Sequence, residues 1–531
     1  MTVFQALLIA IVYYLANSPW PFGGLGNYAT LYRPMVSGLV VGIILGDPVT
    51  GTIIGATINL MYIGFISAGG SMPADMSLAG ILGTALAITS GINTDAALAI
   101  AVPLGLLGSI VWVGRMTLDS AFVRVADKYV EEGKPEKVWI ANILLPQLLL
   151  FAITAIPCFF AAYYGANYVS GLVAQLSGKF LSVLSTIGGM LPAIGIGMML
   201  LAIFKGEARI FFFLGFFVSA YLNLGTLPLA LIFLCIAVLY VGSKGGLDAV
   251  KKANKVEPGD IKHLLSKKDL RKTWWNWMYY FQSCYNYERM QGVGFLHSMS
   301  SVIKKLYHGD PVETKAAMRR HSEFFNTENA TGSAVIGLVA AMEEQKKEGA
   351  DLPDEAFTSI KTGLMGPLAG VGDTLWQAVM IPLLLVMFVG LAKEGNVAAP
   401  VIYVVVFYLL YYGFGYWLLN LGYNKGSEAI LDLMESGIIN KVITAAGILG
   451  CAVMGGLVRN YVTLNCAVTF QQAADSVFSL QTSLFDAILP GLLPLLLTLG
   501  CYKLLKKGMA AYWVVLIVVA IGAAGGILGI F

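Results

Sequence analysis

Apolar stretches long enough to cross a hydrocarbon core of about 30 Å recur along both ends of this chain. The clearer ones are Ala96–Val113, Ile140–Tyr163, Phe180–Ile203, Ile210–Leu222 with Leu227–Val241, Val397–Leu419, Ile443–Val458, Ile488–Leu499 and Ala511–Ile530. A segment in lipid must satisfy its own backbone hydrogen bonds, so each is expected to be helical. Only 12% of the 531 residues are charged and 57% are hydrophobic, against about 25% charged in a soluble domain. Such a chain cannot build a polar surface of the required size, and a lipid-facing surface removes the need for one. The expected fold class is all-α: a multi-pass integral membrane protein with broken or re-entrant helices and a cytoplasmic amphipathic-helix region.

Val3 to Leu15 is apolar but lacks a basic flank and a cleavage motif. It is expected to be the first membrane-embedded element, ending at Asn17-Ser18-Pro19, rather than a removed signal. Pro34–Ser67 is about twice one span but carries Gly46-Asp47-Pro48 near its middle. Proline cannot donate to the helical ladder, and an aspartate at mid-bilayer depth costs about 2.5–3.5 kcal/mol. Two half-spanning segments, or two helices with a polar break, satisfy both constraints. Breaks of this kind are tolerated where they line an enclosed cavity, which points to a transporter.

Residues 244–361 differ from the flanks, holding 18 of the 34 Lys+Arg and 15 of the 31 Asp+Glu. Over 243–272 nine basic residues face four acidic ones, which places this region in the cytoplasm. Residues 246–272 read as a charged linker between two membrane parts, 1–245 and 273–531, with cytoplasmic helices over about 273–361. Trp274, Trp277, Met278, Phe281 and Tyr285 fall on one helical face. That face suits either the headgroup layer or packing against neighbouring helices. Residues 461–484 carry no Lys or Arg, whereas Lys503, Lys506 and Lys507 cluster after the next span. The expected order is therefore outside, inside and an outer C-terminus.

The net charge of +3 and the lack of a basic stripe exclude nucleic acid as a partner. Cys158, Cys235, Cys284, Cys451, Cys466 and Cys501 are scattered without metal-ligand spacing, and read as small apolar residues. No cofactor, metal site or catalytic cluster is expected.

Several runs carry a resemblance. NYERMQGVGF (286–295), RRHSEFFNTENATGSAVIGLVAAMEEQ (319–345) and GLMGPLAGVGDTLWQ (363–377) resemble the signature segments of the IID subunit of mannose-family sugar phosphotransferase permeases. YNKGSE (423–428) and LPGLLPLLLT (489–498) continue the similarity. YRPMVSGLVVGIILGDPVTGTIIGATINLMYIG (32–64) and SMPADMSLAG (71–80) resemble the IIC subunit. The chain thus resembles both subunits fused. The resemblance implies a bacterial inner-membrane permease, a homotrimer with elevator-like displacement, that presents a hexose or amino-hexose to a cytoplasmic phosphorylated IIB (or IIAB) protein. Phosphate would come from phosphoenolpyruvate through enzyme I, HPr and IIA, with no phosphorylation site on this chain.

Five residues are candidate sugar contacts. Asp373 ends a glycine-rich run that lacks the Gly-Lys-Ser/Thr of a nucleotide loop. A carboxylate there can accept hydroxyl protons, or can cap or clamp backbone. Asp75 offers a substrate contact or an N-cap for the helix from Met76. Asn59 is a polar side chain in an apolar run and needs a partner. The IIC pattern often has a glutamate at this point, so the hydroxyl recognised there can differ. Asn326 suits a helix cap or the substrate path. Glu288 and Arg289 are expected on different faces of a helix, with Glu288 toward a basic group in the permease core and Arg289 toward the cytoplasm, and structural ion pairing is the favoured role for both over sugar contact. His321 is expected to be solvated or partner-facing rather than phosphorylated. An ion-coupled transporter using Asp47 and Asp373 is the alternative class.

Overall fold

The computed structural model describes residues 1–65, 74–175, 178–243, 264–435, 438–471 and 477–531. Most of the expected linker, and the start of the 71–80 segment, lie outside these ranges. The described residues are overwhelmingly helical, as the apolar runs require. One antiparallel hairpin, β1 (Thr469–Gln471) with β2 (Val477–Ser479), pairs Phe470 with Phe478.

The N-terminal part runs α1 (Val3–Asn17), α2 (Gly24–Ala29), α3 (Pro34–Leu45), α4 (Pro48–Met61), α5 (Met76–Ser90), α6 (Thr94–Glu132), α7 (Leu145–Gln175), α8 (Gly178–Met190), α9 (Pro192–Ile203), α10 (Ala208–Leu222) and α11 (Thr226–Ser243). The long apolar run after Arg33 folds as two short helices, about 18 and 21 Å at 1.5 Å per residue, each too short to span alone. Gly46 closes α3 with φ 87°, and Asp47 caps α4 by accepting from the Thr50 amide at 3.0 Å. Asp47 thus caps the second helix at the hairpin tip. A Cβ on Gly38 would lie 2.6 Å from the Gly55 Cα, so glycine lets α3 and α4 pack backbone to backbone. The Phe180–Ile203 run is also broken, at Leu191, where Pro192 opens α9.

The C-terminal part runs α12 (Lys267–Tyr280), α13 (Gly292–Leu306), α14 (Pro311–His321), α15 (Asn329–Lys347), α16 (Asp354–Gly372), α17 (Ile381–Lys393), α18 (Ala398–Glu435), α19 (Ile438–Tyr461), α20 (Leu492–Lys506) and α21 (Ala511–Leu528). Among the described residues four helical segments are long and apolar enough to cross a membrane: Thr94–Glu132, Pro135–Gly165, Asp354–Lys393 and Ala398–Gly426. A fifth candidate is a pair, Gln481–Ile488 and Leu492–Lys506, bent by 62°.

The two parts of the chain interleave. α15 packs along α18, while α19 packs against α10 and α11 from the N-terminal part, and α20 and α21 pack on α9 and α8. One continuous apolar core joins them. α12 starts with a capping box, Ser266 with Asp269. Its aromatic face is buried in protein rather than laid in the headgroup layer: Trp277 and Met278 are 0% exposed and Trp274 4%. The Trp277 indole N–H donates to the Asn329 carbonyl at 2.7 Å, and the Trp274 ring stands edge-on to Tyr412 and Tyr416. A partner for each polar edge makes the interior the better solvent for this stripe.

Candidate cleft between the two halves

Two breaks in helical backbone meet where the halves join. α1 stops at Asn17, and the Asn27 amide donates to the Ala16 and Ser18 carbonyls at 3.0 and 2.9 Å, satisfying acceptors that a helix end leaves open. The second break follows α12. Asn286 Oδ1 accepts from the backbone N–H groups of Glu288 and Arg289 at 3.1 and 2.9 Å. Arg115, on α6, ties the two breaks together. Its Nη1 donates to the Asn17 carbonyl (3.1 Å) and its Nη2 to the Gln282 and Ser283 carbonyls (2.9 and 3.1 Å). Asp119, one turn on and fully buried, lies 3.5 Å from Arg115 Nε.

The third wall comes from α16. Its helix continues unbroken through Pro367 and the glycine-rich run. The glycine that matters for approach is Gly372: a Cβ there would fall 2.5 Å from Glu328 Cβ, Glu328 Oε2 and Thr331 Oγ1. The chain then widens into a π-helical stretch, Asp373–Met380, a geometry common at functional sites. Gln377 Nε2 donates to Asp373 Oδ1 at 2.6 Å. Opposite, Glu328 caps α15 through the Ala330 and Thr331 amides and accepts from the Tyr411 hydroxyl at 2.6 Å. Gln291 and Thr327 exchange two hydrogen bonds of 2.8 and 2.9 Å, fixing the segment that carries Asn326.

These walls enclose two adjoining cavities that share Leu25, Gln282 and Gln377. The larger, about 600 Å³ including its open mouth, is lined by Asn17, Tyr28, Tyr32, Trp112, Arg115 and Tyr279 among others. The smaller, about 360 Å³, is lined by Tyr285, Gln291, Asn326, Thr327, Glu328, Asn329 and Asp373 among others. Side-chain amides donate and accept, carboxylates accept, and aromatic faces stack on apolar ring faces. That set matches a polyol, whose hydroxyls also both donate and accept.

Two of the five expected contacts, Asp373 and Asn326, come together here; Asn326 accepts from the Tyr285 hydroxyl at 3.0 Å, and Glu328 rather than Asn326 caps the following helix. The other three lie outside the lining. Asp75 caps α5 at the Leu78 amide (2.9 Å) and accepts from the Tyr13 and Ser77 hydroxyls, both at 2.6 Å. Asn59 accepts from the Met35 amide at 3.4 Å, joining α4 to α3. Glu288 is exposed on the turn after Asn286, which is not helical, because Asn286 captures the amides that a helix would use. Its neighbour Arg289 turns inward onto Asp127.

His321 is also corrected: it is fully buried rather than solvated, 2.6 Å from Glu343 Oε1. Glu343 binds Arg320 through two hydrogen bonds of 2.7 Å, and this pairing holds its carboxyl well below the usual range against the burial that would raise it.

Sequence reasoning missed Gln282, Gln377, Tyr285 and Arg115. A signal existed for two of them. Arg115 is a lone cation after the apolar run Ala96–Val113, and Gln377 stands one helical turn after Asp373.

Comparison with known proteins bears on both parts of the chain. Residues 264–531 match the family model described as the PTS system mannose/fructose/sorbose family IID component, and residues 3–239 match the PTS system sorbose-specific IIC component. The PTS system mannose-specific EIID component of Escherichia coli (strain K12) is 38% identical over 258 residues, 47% of this chain and 90% of that protein. The sorbose-specific EIID component of Klebsiella pneumoniae is 35% identical over 281 residues, 52% of this chain and 97% of that protein. The mannose-specific EIIC component of Escherichia coli (strain K12) is 30% identical over 243 residues, 45% of this chain and 89% of that protein.

Proposed function

We propose, from the premise that this chain belongs to the mannose/fructose/sorbose family of phosphotransferase-system membrane components, that its cleft binds a hexose or amino-hexose and presents it to a phosphorylated cytoplasmic IIB protein. The chain carries the IIC and IID components in one polypeptide and is a multi-pass protein of the bacterial inner membrane. Sugar transport coupled to phosphotransfer is the activity of that system.

The observation that supports the cleft as the sugar site is the Asp373–Gln377 pair on the π-helical stretch, facing Asn326 and Glu328 across a cavity that both halves build. A carboxylate beside a side-chain amide sets a hydroxyl acceptor next to a group that both donates and accepts. Asn59 and Asp75 remain in the reading as groups that tie α3, α4, α5 and α1 together rather than as lining groups. A homotrimer and an elevator-like displacement belong to the same reading.

The test uses vesicles carrying the purified chain. Labelled sugar should be recovered as sugar phosphate only when phosphoenolpyruvate, enzyme I, HPr, IIA and IIB are supplied, and uncouplers should not matter. Accumulation of free sugar driven by an ion gradient, without phosphoenolpyruvate, would establish the ion-coupled alternative instead.

A further inference from the structure

The two segments that form one wall of the cleft also have an outer side. Residues 285–291 and 322–327 are bridged backbone to backbone: Met290 pairs with Phe325, the Gln291 amide donates to the Phe325 carbonyl at 2.8 Å, and the Phe325 amide to the Arg289 carbonyl at 3.3 Å. Met290 is held at φ 51°, an uncommon conformation for a long side chain that persists only where neighbours enforce it. Along each segment the side chains divide. Tyr285, Gln291, Asn326 and Thr327 line the cavity, whereas Tyr287 (55% exposed) and Phe324 (46% exposed) stand outside it. Single exposed apolar residues need no explanation, but here two aromatics protrude from one bridged unit whose other side lines the cavity.

The surroundings are charged. Arg289 is bound to Asp127 on α6, and Arg124 and Lys128, exposed on the same helix, flank that aspartate. Arg319, also exposed, reaches Glu131 at 2.8 Å from the end of α14. We infer that this unit, with Tyr287 and Phe324 at its centre and Arg124, Lys128 and Arg319 at its rim, is the docking surface for the phosphorylated donor protein. The inference rests on the sugar-presenting reading above. A donor seated on these two segments is separated from Asn326 by the thickness of one backbone layer. Its phosphoryl group, carrying about −1.5 to −2 charges at neutral pH, meets a rim that carries guanidinium and ammonium groups. Aromatic anchors inside a charged rim are the usual composition of a protein-binding surface.

The experiment compares wild type with a Tyr287→Ser/Phe324→Ser double variant and an Arg319→Glu variant in vesicles. The probe is a mannose-family IIB protein phosphorylated from phosphoenolpyruvate. The expected result is a rise of roughly tenfold or more in the IIB concentration giving half-maximal sugar phosphorylation, as for loss of central aromatic anchors. Sugar affinity measured without IIB, and the maximal rate at saturating IIB, should stay at wild-type values. An unchanged IIB dependence in both variants overturns the surface while leaving the sugar-presenting reading intact. A change of oligomeric state in the double variant also overturns it, because the aromatics then pack on a second copy of the chain. If wild type phosphorylates no sugar with IIB present, the sugar-presenting reading itself fails and takes the surface with it.

Discussion

Arg289 grips Asp127 through two parallel hydrogen bonds, Nη1 to Oδ1 at 2.7 Å and Nη2 to Oδ2 at 2.9 Å, and so fastens the C-terminal half of the chain to helix α6 of the N-terminal half. Fork-to-fork geometry is specific to arginine. Because the pair is partly exposed, 23% and 41%, its contribution is discounted for solvent to about 1 kcal/mol. Arg289→Lys should lose most of this, and a double-mutant cycle with Asp127→Asn, read by thermal unfolding in detergent, should return a coupling of that size. Additivity of the two single variants would show that the contact is ornamental.

Asp373→Asn and Gln377→Leu should each weaken sugar binding to the purified chain. A charge-assisted hydrogen bond is worth roughly 1.5–3 kcal/mol, or about ten- to a hundredfold in affinity. Asp75→Ala should act mainly on stability, since it strips partners from Tyr13, Ser77 and the first turn of α5. Calorimetric titration beside a melting curve separates the two effects.

Gly372→Ala places a methyl group against the Glu328 side chain and Thr331. Overpacking of this kind costs about 1–3 kcal/mol, and relief requires α16 to move off the start of α15. Sugar affinity should fall together with melting temperature, whereas Gly370→Ala, which meets nothing within 4 Å, should leave both unchanged.

Acid should destabilise the helices that carry His297 and His321, α13 and α14, before the spans. Burial, reinforced by Lys272, pushes the His297 imidazole down to about 4, and burial also lowers His321 despite its contact with Glu343. Unfolded histidine takes up its proton near pH 6.5, so the unfolded chain binds more protons as pH falls below about that value. The histidine contribution is therefore complete above about pH 6.5 and is lost as pH falls toward 4. Melting temperature in detergent should drop between pH 7.5 and 5, and His297→Gln should flatten that slope.

Cysteine labelling from outside intact cells should reach positions introduced in 463–483 and miss those in 264–361. Outside labelling of the 264–272 stretch would reverse the orientation read from the basic residues.

Most of the helical plan was legible from apolar length and breakers. Asp47 with Pro48 marked the α3–α4 hairpin, since a proline and a carboxylate are locally disruptive wherever they fall. Asp373 was also visible, as a carboxylate at a break between apolar stretches, and Asn326 as a residue suited to a cap or to the substrate path. What could not be read was direction. Trp277 and a headgroup-layer tryptophan have the same helical spacing, and only the Asn329 carbonyl decides between them. Glu288 and Arg289 were assigned to a helix because nothing in their own residue types shows that Asn286 would capture their amides. His321 looked solvated among charges, because its partner Glu343 stands 22 positions later and on another helix. Arg115 was passed over for the same reason: its acceptors are the carbonyls of residues 17, 282 and 283, brought together only by folding.

Helix α6 holds Arg115 beside the cleft and Asp127 at the contact with Arg289 on a single uninterrupted rod. Twelve residues of α-helix span about 18 Å, and its proline, Pro103, lies on the far side of Arg115. The segment between the two contacts therefore works as a strut of fixed length. Any tilt that changes the grip of Arg115 on the backbone breaks must swing Asp127 through a proportionate arc. The carboxylate–guanidinium fork at its end then has to follow or let go.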